Sequence, residues 1–230
     1  MRPAATRTAC VARAIACVIA TAVIAGNTGA HVIVNEFDVM SKGEAAWHFL
    51  WLGFTHILPY GFDHILFILS LYLLSPKLKD IIWQASAFTV AHSITLGLAM
   101  YGVVHPPPRI VEPLIALSIA AVAIENIVRP KLKPSRIAIV FFFGLVHGLG
   151  FAGALAELGL PEKHFLTTLV TFNAGVELGQ ITVILIAYFL FGRWFSERVW
   201  YRKRIVIPIS VCIALVAGFW TVQRIFFFQP

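Results

Sequence analysis

The stretch HILPYGFDHILFILSLYLL, residues 56–74, combines ionisable side chains with a long apolar run. His56, Asp63 and His64 stand at its start, and the rest is apolar enough to enter a bilayer. An ionisable group at the centre of a bilayer costs at least about 2.5 kcal/mol on insertion scales, so these groups mark a candidate functional site. Pro59 and Gly61 lie between them and predict a helix break or a helix start.

The composition of the whole chain agrees with a membrane location. Hydrophobic residues make up 59% of the sequence and charged residues only 13%, whereas soluble domains carry about 25% charged residues. The net charge of +7 is concentrated in short loops between apolar runs, where it sets topology. Nucleic-acid binding is therefore excluded, and the chain is predicted to be an integral membrane protein.

Apolar segments of spanning length predict an all-α integral membrane fold, a bundle of six transmembrane helices. A spanning helix needs about 20 mainly apolar residues, and the loops between the segments leave no room for a second domain. The segment before the first span, up to Phe54, is predicted to lie along the outer surface as an amphipathic helix. The predicted spans are residues 57–75, 81–103, 110–128, 137–157, 165–192 and 205–226.

Residues 1–30 have the pattern of a cleavable signal peptide, in which arginines precede an apolar run that ends in small residues. Cleavage after Ala30 would make His31 the new N-terminus. Ala25 is an alternative cleavage site, and an uncleaved anchor is the alternative interpretation. Residues 31–46 then form a short extracytoplasmic tail, and residues 47–230 form the six-helix domain.

The charge of the loops orients the bundle. The loops after the first, third and fifth spans hold eleven Lys and Arg residues, and the opposite side holds four. Because positive charge favours the cytoplasmic side, both mature termini are predicted to be extracytoplasmic.

Histidines and carboxylates inside the spans are the candidate metal ligands. The candidate ligands include no thiolate cluster, because only one cysteine, Cys212, remains after the signal peptide. Imidazole and carboxylate ligands suit nickel, cobalt, zinc or manganese. At 1.5 Å per residue the candidates form a ladder through the membrane. Its positions are Asp63 and His64 in the outer third, His92, His147 and Glu177 near the middle, and Glu125 with Asn126 towards the inner face; His56 is predicted near the interface.

The fifth predicted span carries a polar stripe. Asn173, Glu177 and Gln180 are spaced i, i+4 and i+7, so they share one helix face. The stripe is predicted to face the bundle interior and to form part of the ion pathway, with proton exchange at Glu177 and Glu125.

The second and fourth spans share a local pattern. His92 in FTVAHSI matches His147 in FGLVHGL, and Glu125 on the third span matches Glu177 on the fifth. The match indicates two parallel helical hairpins, or a chance similarity between apolar helices. On the fourth span Gly144 and Gly148 have the GxxxG spacing that lets helix backbones approach closely.

His31 is a candidate for metal capture. If cleavage exposes it, its amine and imidazole could chelate a divalent ion, with Glu36 and Asp38 nearby in sequence. The alternative is an N-terminal residue without a role.

Five long segments resemble the HupE/UreJ family of hydrogenase and urease accessory membrane proteins, in its second branch. They are HILPYGFDHILFILSLYLLS, WQASAFTVAHSITLGLA, VEPLIALSIAAVAIENI, FFFGLVHGLGFAGALAELGLP and FNAGVELGQ. The resemblance covers residues 45–225. It implies a six-helix protein of the bacterial cytoplasmic (inner) membrane and, from the better-studied branch, nickel or cobalt uptake for metalloenzyme maturation. The first family motif resembles His56, Asp63 and His64; the second resembles His147, although Glu157 lies farther from it than in that branch.

Three hypotheses of function follow. The first is a permease for a divalent transition metal, nickel or cobalt before zinc, with the lipid bilayer and metalloenzyme maturation proteins as partners and no organic cofactor. The second is an intramembrane zinc or iron enzyme, although no HExxH or GxSG motif is present. The third is a haem or electron carrier that uses His92 and His147, or an assembly factor for another membrane complex.

Overall fold

The regular structure of the chain is helical. The computed structural model describes residues 40–75, 77–129, 133, 135–158 and 164–227, and these ranges contain helices and no strand. Helix α6 continues through a π-helical segment, Tyr188–Gly192, to Phe195, and a second π-helical segment, Arg202–Val206, leads into α7. The helices are α1 (Lys42–Ile57), α2 (Phe62–Leu74), α3 (Leu78–Met100), α4 (Pro108–Val128), α5 (Arg136–Leu158), α6 (Phe165–Ala187) and α7 (Ile207–Phe226).

Five of these helices, α3 to α7, are long and apolar enough to cross a membrane. Helices α1 and α2 pass the same test only together, and they are bent by 67° at the break between them. Counted as one broken span, the pair completes the predicted six. The predicted break at Pro59 is confirmed, because α1 ends at Ile57 and α2 begins at Phe62.

Helix α1 belongs to the bundle. It begins at Lys42, within the segment predicted as a tail, where Ser41 and Glu44 form a capping box. Its buried face packs on α6, and a Cβ on Gly53 would overlap the carbonyl oxygen of Phe172. The prediction that the segment up to Phe54 lies along the outer surface is therefore wrong. Glycines at the contact let the backbones of α1 and α6 approach closely, and this packing makes α1 part of the bundle.

Three helix pairs make the main contacts of the bundle: α1 with α6, α3 with α5, and α4 with α7. Helix α2 contacts both α4 and α6. We call the end of the bundle where α3 ends and α4 begins the outer end, because the loop charges predict that it faces outward; the opposite end is the inner end. The signal peptide, residues 31–39 of the tail and His31 lie outside the described residues.

Candidate metal centre

Three histidines from three helices meet beside the helix break. His56 lies in the last turn of α1, His64 in the first turn of α2 and His92 in the middle of α3. One ligand nitrogen from each ring can be chosen so that all three lie within 4.8 Å of one another. Ligands of a tetrahedral ion with metal–nitrogen bonds near 2.1 Å are about 3.4 Å apart. Small side-chain adjustments would therefore bring the three nitrogens onto one ion.

A fourth histidine adjoins the group from α5. The ring centroid of His147 lies 5.0 Å from that of His64. Its position depends on close packing of α5 against α3. A Cβ on Gly144 would lie 2.6 Å from the carbonyl oxygen of Phe88, and one on Gly148 would overlap the carbonyl of His92. The GxxxG packing predicted around His147 is thus the contact between α3 and α5.

Each of the four rings has a buried nitrogen without a hydrogen-bond partner. Within the part of the chain that the structure describes, these atoms are Nε2 of His56, His64 and His92 and Nδ1 of His147. Burial of a polar atom without a partner is unfavourable, so four such atoms together need an explanation. Neutral imidazole nitrogens are the commonest metal ligands in proteins, and a bound cation would supply a partner for the three-histidine group.

The four histidines lie at one depth rather than along a ladder. Along their helices, His92 is eight residues from the end of α3 and His147 is eleven from the end of α5, which places them about 12 and 16 Å from the outer end. His64 touches both rings, so the prediction of an outer rung is wrong for His64. The interfacial position predicted for His56 is also wrong, because α1 descends into the bundle before the chain breaks.

Aromatic side chains surround the centre. The ring of Phe151 lies 4.0 Å from that of His56 and stacks on Phe172 with an interplanar angle of 8°. Phe88 and Phe67 contact His147 from the side of the inner end. These rings restrict the histidine side chains and limit the water that reaches them, which strengthens electrostatic interactions at the centre.

An open cavity of about 200 Å³ leads to the centre. Three of the four histidines line it, and its remaining walls come from the helix break and from α4 and α5. The lining residues are His56, Tyr60, Gly61, Asp63, His64, Ile115, His147, Gly150 and Phe151.

Asp63 lines this cavity, but its carboxylate forms an ion pair with an arginine. Its Oδ2 accepts a hydrogen bond from Nη2 of Arg224 at 2.8 Å. The same guanidinium lies 3.2 Å from a carboxylate oxygen of Glu112 and donates to the Glu112 backbone carbonyl. Asp63 is thus held in an ion-pair cluster of α2, α4 and α7, and the three-histidine group forms without it.

The polar stripe of α6 contacts α3. Oε1 of Glu177 accepts a hydrogen bond from Ser86 at 2.7 Å, and Oε1 of Gln180 accepts one from Thr89 at 3.2 Å. Asn173 is bonded to His92. The stripe therefore runs from the histidine centre towards the inner end, and Glu177 lies one turn inward of the centre.

Glu125 and Asn126 belong to a separate polar cluster near the inner end. Glu125 forms ion pairs with Arg129 at 3.0 Å and with Arg136 at 3.3 Å. Asn126 accepts from Arg136 and donates to the carbonyl of Ser70. Both residues are therefore engaged in holding the buried Arg136, whose side chain is 1% exposed.

Sequence reasoning missed three residues of these clusters. Arg136 and Arg224 were counted only as loop or terminal charges, although a charge at the end of an apolar span is a visible signal. Ser118, whose Oγ lies 2.9 Å from Nε2 of His147, carries only a weak signal, because serine is common in membrane helices.

The fold and the centre define a class of protein: an all-helical membrane protein with a group of histidines between its helices. The chain belongs to the HupE/UreJ family, whose second family model, described as HupE / UreJ protein, matches residues 31–224. This family is associated with nickel and cobalt accessory or transport functions. Comparison with curated proteins and with solved structures gave no match.

Proposed function

We propose that this protein is a membrane permease for a divalent transition-metal cation, nickel or cobalt, with zinc as the alternative. The observation that carries the proposal is the group of three histidines whose ligand nitrogens lie within 4.8 Å of one another, with His147 beside them at an open cavity. The association of the family with nickel and cobalt supports the same metals. We place the protein in the bacterial cytoplasmic membrane with both mature termini outside, and metalloenzyme maturation proteins would receive the metal.

The ligand chemistry favours these ions. The described cysteine, Cys212, is exposed on α7 and is not part of the centre. Imidazole nitrogen without sulfur suits nickel, cobalt and zinc, and it is a poor match for Cu(I), which prefers thiolate or thioether ligands. Imidazole must be neutral to bind a metal, and the apolar surroundings favour the neutral form.

The cavity supplies access from the outer end. Asp63 and Glu112 face the single guanidinium of Arg224 there, so the cluster carries one net negative charge. A negatively charged mouth raises the local concentration of cations and their rate of association.

Release requires the ligands to separate, since conduction needs binding that is also weak enough to allow exit. The four histidines sit on four helices, α1, α2, α3 and α5, so a relative shift of these helices would break the site. Asn173 adjoins the centre itself, and inward of it Gln180 and Glu177 offer oxygen ligands along α6. Glu177 is the carboxylate that would exchange a proton for the cation.

The experiment is metal analysis of the purified protein together with uptake of nickel and cobalt into liposomes. His64→Ala removes a central ligand and is expected to abolish uptake and to lower metal affinity at least 100-fold. His105→Ala, a loss of imidazole outside the centre, is the matched control and should behave as wild type. If His64→Ala takes up metal at the wild-type rate, the proposal of a permease that uses the histidine centre is wrong.

A second candidate function is an intramembrane metalloenzyme with resident zinc or iron. The observation that favours it is the convergence of the histidines at one depth, since a catalytic metal needs its ligands together and one open position. The same liposome experiment separates the two functions. A metalloenzyme would retain one metal ion per chain through purification and would show no uptake.

A further inference from the structure

The hydrogen bonds of Ser118 determine which nitrogen of His147 carries the proton. Ser118 is 1% exposed in the middle of α4. Its hydroxyl donates to the carbonyl oxygen of Ile115 at 2.7 Å. Nε2 of His147 lies 2.9 Å from the same Oγ. A hydroxyl has one hydrogen, and when that hydrogen is on the carbonyl of Ile115, Nε2 of His147 is the donor.

The proton at Nε2 leaves the lone pair of His147 on Nδ1. This nitrogen is buried and has no hydrogen-bond partner among the described residues. His147 therefore offers Nδ1 as its ligand atom, while Ser118 holds the opposite side of the ring.

Asn173 sets the tautomer of His92 in the same way. Its Nδ2 donates to the carbonyl of Leu169 at 2.8 Å, which fixes the orientation of the amide. Its Oδ1, an acceptor, lies 3.2 Å from Nδ1 of His92. Nδ1 of His92 must then carry the proton, and the lone pair is on the buried Nε2, which has no partner in the described part of the chain.

These two bonds cross between the helical hairpins that the sequence pattern indicated. His92 on α3 is oriented by Asn173 on α6, and His147 on α5 is oriented by Ser118 on α4. The hairpin α3–α4 thus contributes His92 and the residue that orients His147. The hairpin α5–α6 contributes His147 and the residue that orients His92.

We propose that Ser118 and Asn173 are positioning residues that fix a mixed centre, in which His147 binds the metal through Nδ1 and His92 through Nε2. The proposal rests on the metal-binding function proposed above. Ligating histidines commonly donate their second N–H to a neighbouring group, and loss of that group lowers metal affinity about 10–100-fold.

The first test needs no metal. In metal-free protein labelled with ¹⁵N-histidine, nitrogen NMR shifts report which ring nitrogen is protonated, and the His147 signal is identified by its loss in His147→Asn. We expect protonated Nε2 in His147 and protonated Nδ1 in His92. The opposite tautomer at both rings of the wild-type protein would overturn the proposal.

The second test uses cobalt(II) alone as the probe. Ser118→Ala is expected to lower cobalt affinity at least 10-fold and to change the d–d absorption spectrum, and Ser118→Thr should restore both because it keeps the hydroxyl. Ser93→Ala is the matched control, because among the described residues the hydroxyl of Ser93 bonds only the carbonyl of Thr89 within α3. Asn173→Leu should reproduce the loss.

The outcomes separate this inference from the proposed function. Cobalt affinity and spectra of Ser118→Ala and Asn173→Leu equal to those of wild type would overturn the inference and leave the metal site intact. Failure of the wild-type protein to bind cobalt, with the expected tautomers present, would overturn the metal site and support the hydrogen-bond assignment. Equal losses in Ser118→Ala and Ser93→Ala would show a general effect of serine removal and would overturn the positioning role.

Discussion

Asp63 is bound to Arg224, 161 residues later in the chain, at 2.8 Å, although its sequence neighbour His64 lies in the histidine group. Successive residues on a helix project about 100° apart. One turn of α2 therefore supplies a histidine to the centre and an ion-pair partner to α7. This separates the two residues that the sequence presented as one motif and gives each a distinct expected phenotype.

Asp63→Asn is expected to leave the equilibrium affinity of the centre for cobalt within about threefold of wild type, because Arg224 and not the metal takes its carboxylate. The association rate should fall, since the substitution removes the net negative charge at the mouth. The measurement is stopped-flow cobalt binding at low and high salt. The difference between variant and wild type should shrink at high salt. If Asp63→Asn loses as much cobalt affinity as His64→Ala, the expectation is wrong and Asp63 is a metal ligand.

His56→Ala is expected to lower nickel and cobalt affinity by a factor similar to that of His64→Ala, because both rings belong to the same three-histidine group. Isothermal titration of detergent-purified protein measures the change, with His105→Ala as control. If His56→Ala binds metal with wild-type affinity, His56 is not a ligand and has the peripheral role that the sequence predicted.

Metal affinity is expected to fall in acid, and only below the pH at which free imidazole gains its proton, because the apolar surroundings of the four rings favour the neutral form. Protons compete with the metal for imidazole lone pairs, so each ligand that is protonated in the metal-free protein is lost to the metal. Competition titration with a chromogenic chelator from pH 7 downwards measures the effect, and the variant His64→Ala with His92→Ala, which lacks two of the four histidines, corrects for the chelator. Affinity that stays constant as the pH is lowered to the onset of acid unfolding would exclude a histidine centre.

Gly148→Ala is expected to destabilise the protein by about 1–3 kcal/mol, as for overpacked cores, and to weaken metal binding. The new methyl group would overlap the carbonyl of His92 and Oγ1 of Thr95, so α5 must move away from α3. Gly153→Ala on the same helix is the matched control, because no atom of the described part of the chain lies within 4 Å of its added Cβ. Thermal unfolding in detergent compares the two, and equal stability would contradict the close packing.

Glu125→Gln and Glu177→Gln are expected to differ. Glu125 is engaged with Arg129 and Arg136, so its substitution should lower the free energy of unfolding by about 1–3 kcal/mol with near-normal uptake in folded protein. Glu177 lies on the inward stripe, so Glu177→Gln should lower uptake by at least 10-fold with little change in stability. The two variants are compared by metal uptake into liposomes and by unfolding in denaturant. Loss of uptake in Glu125→Gln but not in Glu177→Gln would show that the ion pathway uses Glu125 instead.

The helical class, the helix break at Pro59 and the close packing at Gly144 and Gly148 could be predicted because each depends on local properties. Apolar length determines whether a segment can span a bilayer, proline removes a backbone donor, and glycine spacing permits backbone contact. The candidate ligands could also be named, since ionisable groups are conspicuous in apolar segments.

The sequence by itself determined a helical membrane protein and which of its residues could carry chemistry. Only the tertiary structure decided that His56, His64, His92 and His147 meet at one depth while Asp63 and Glu125 pair with arginines. The reason is that counting residues assumes straight, upright helices, whereas depth and rotation depend on how helices pack. Here the 67° bend between α1 and α2 and the glycine contacts of α1 with α6 and α3 with α5 bring distant residues together.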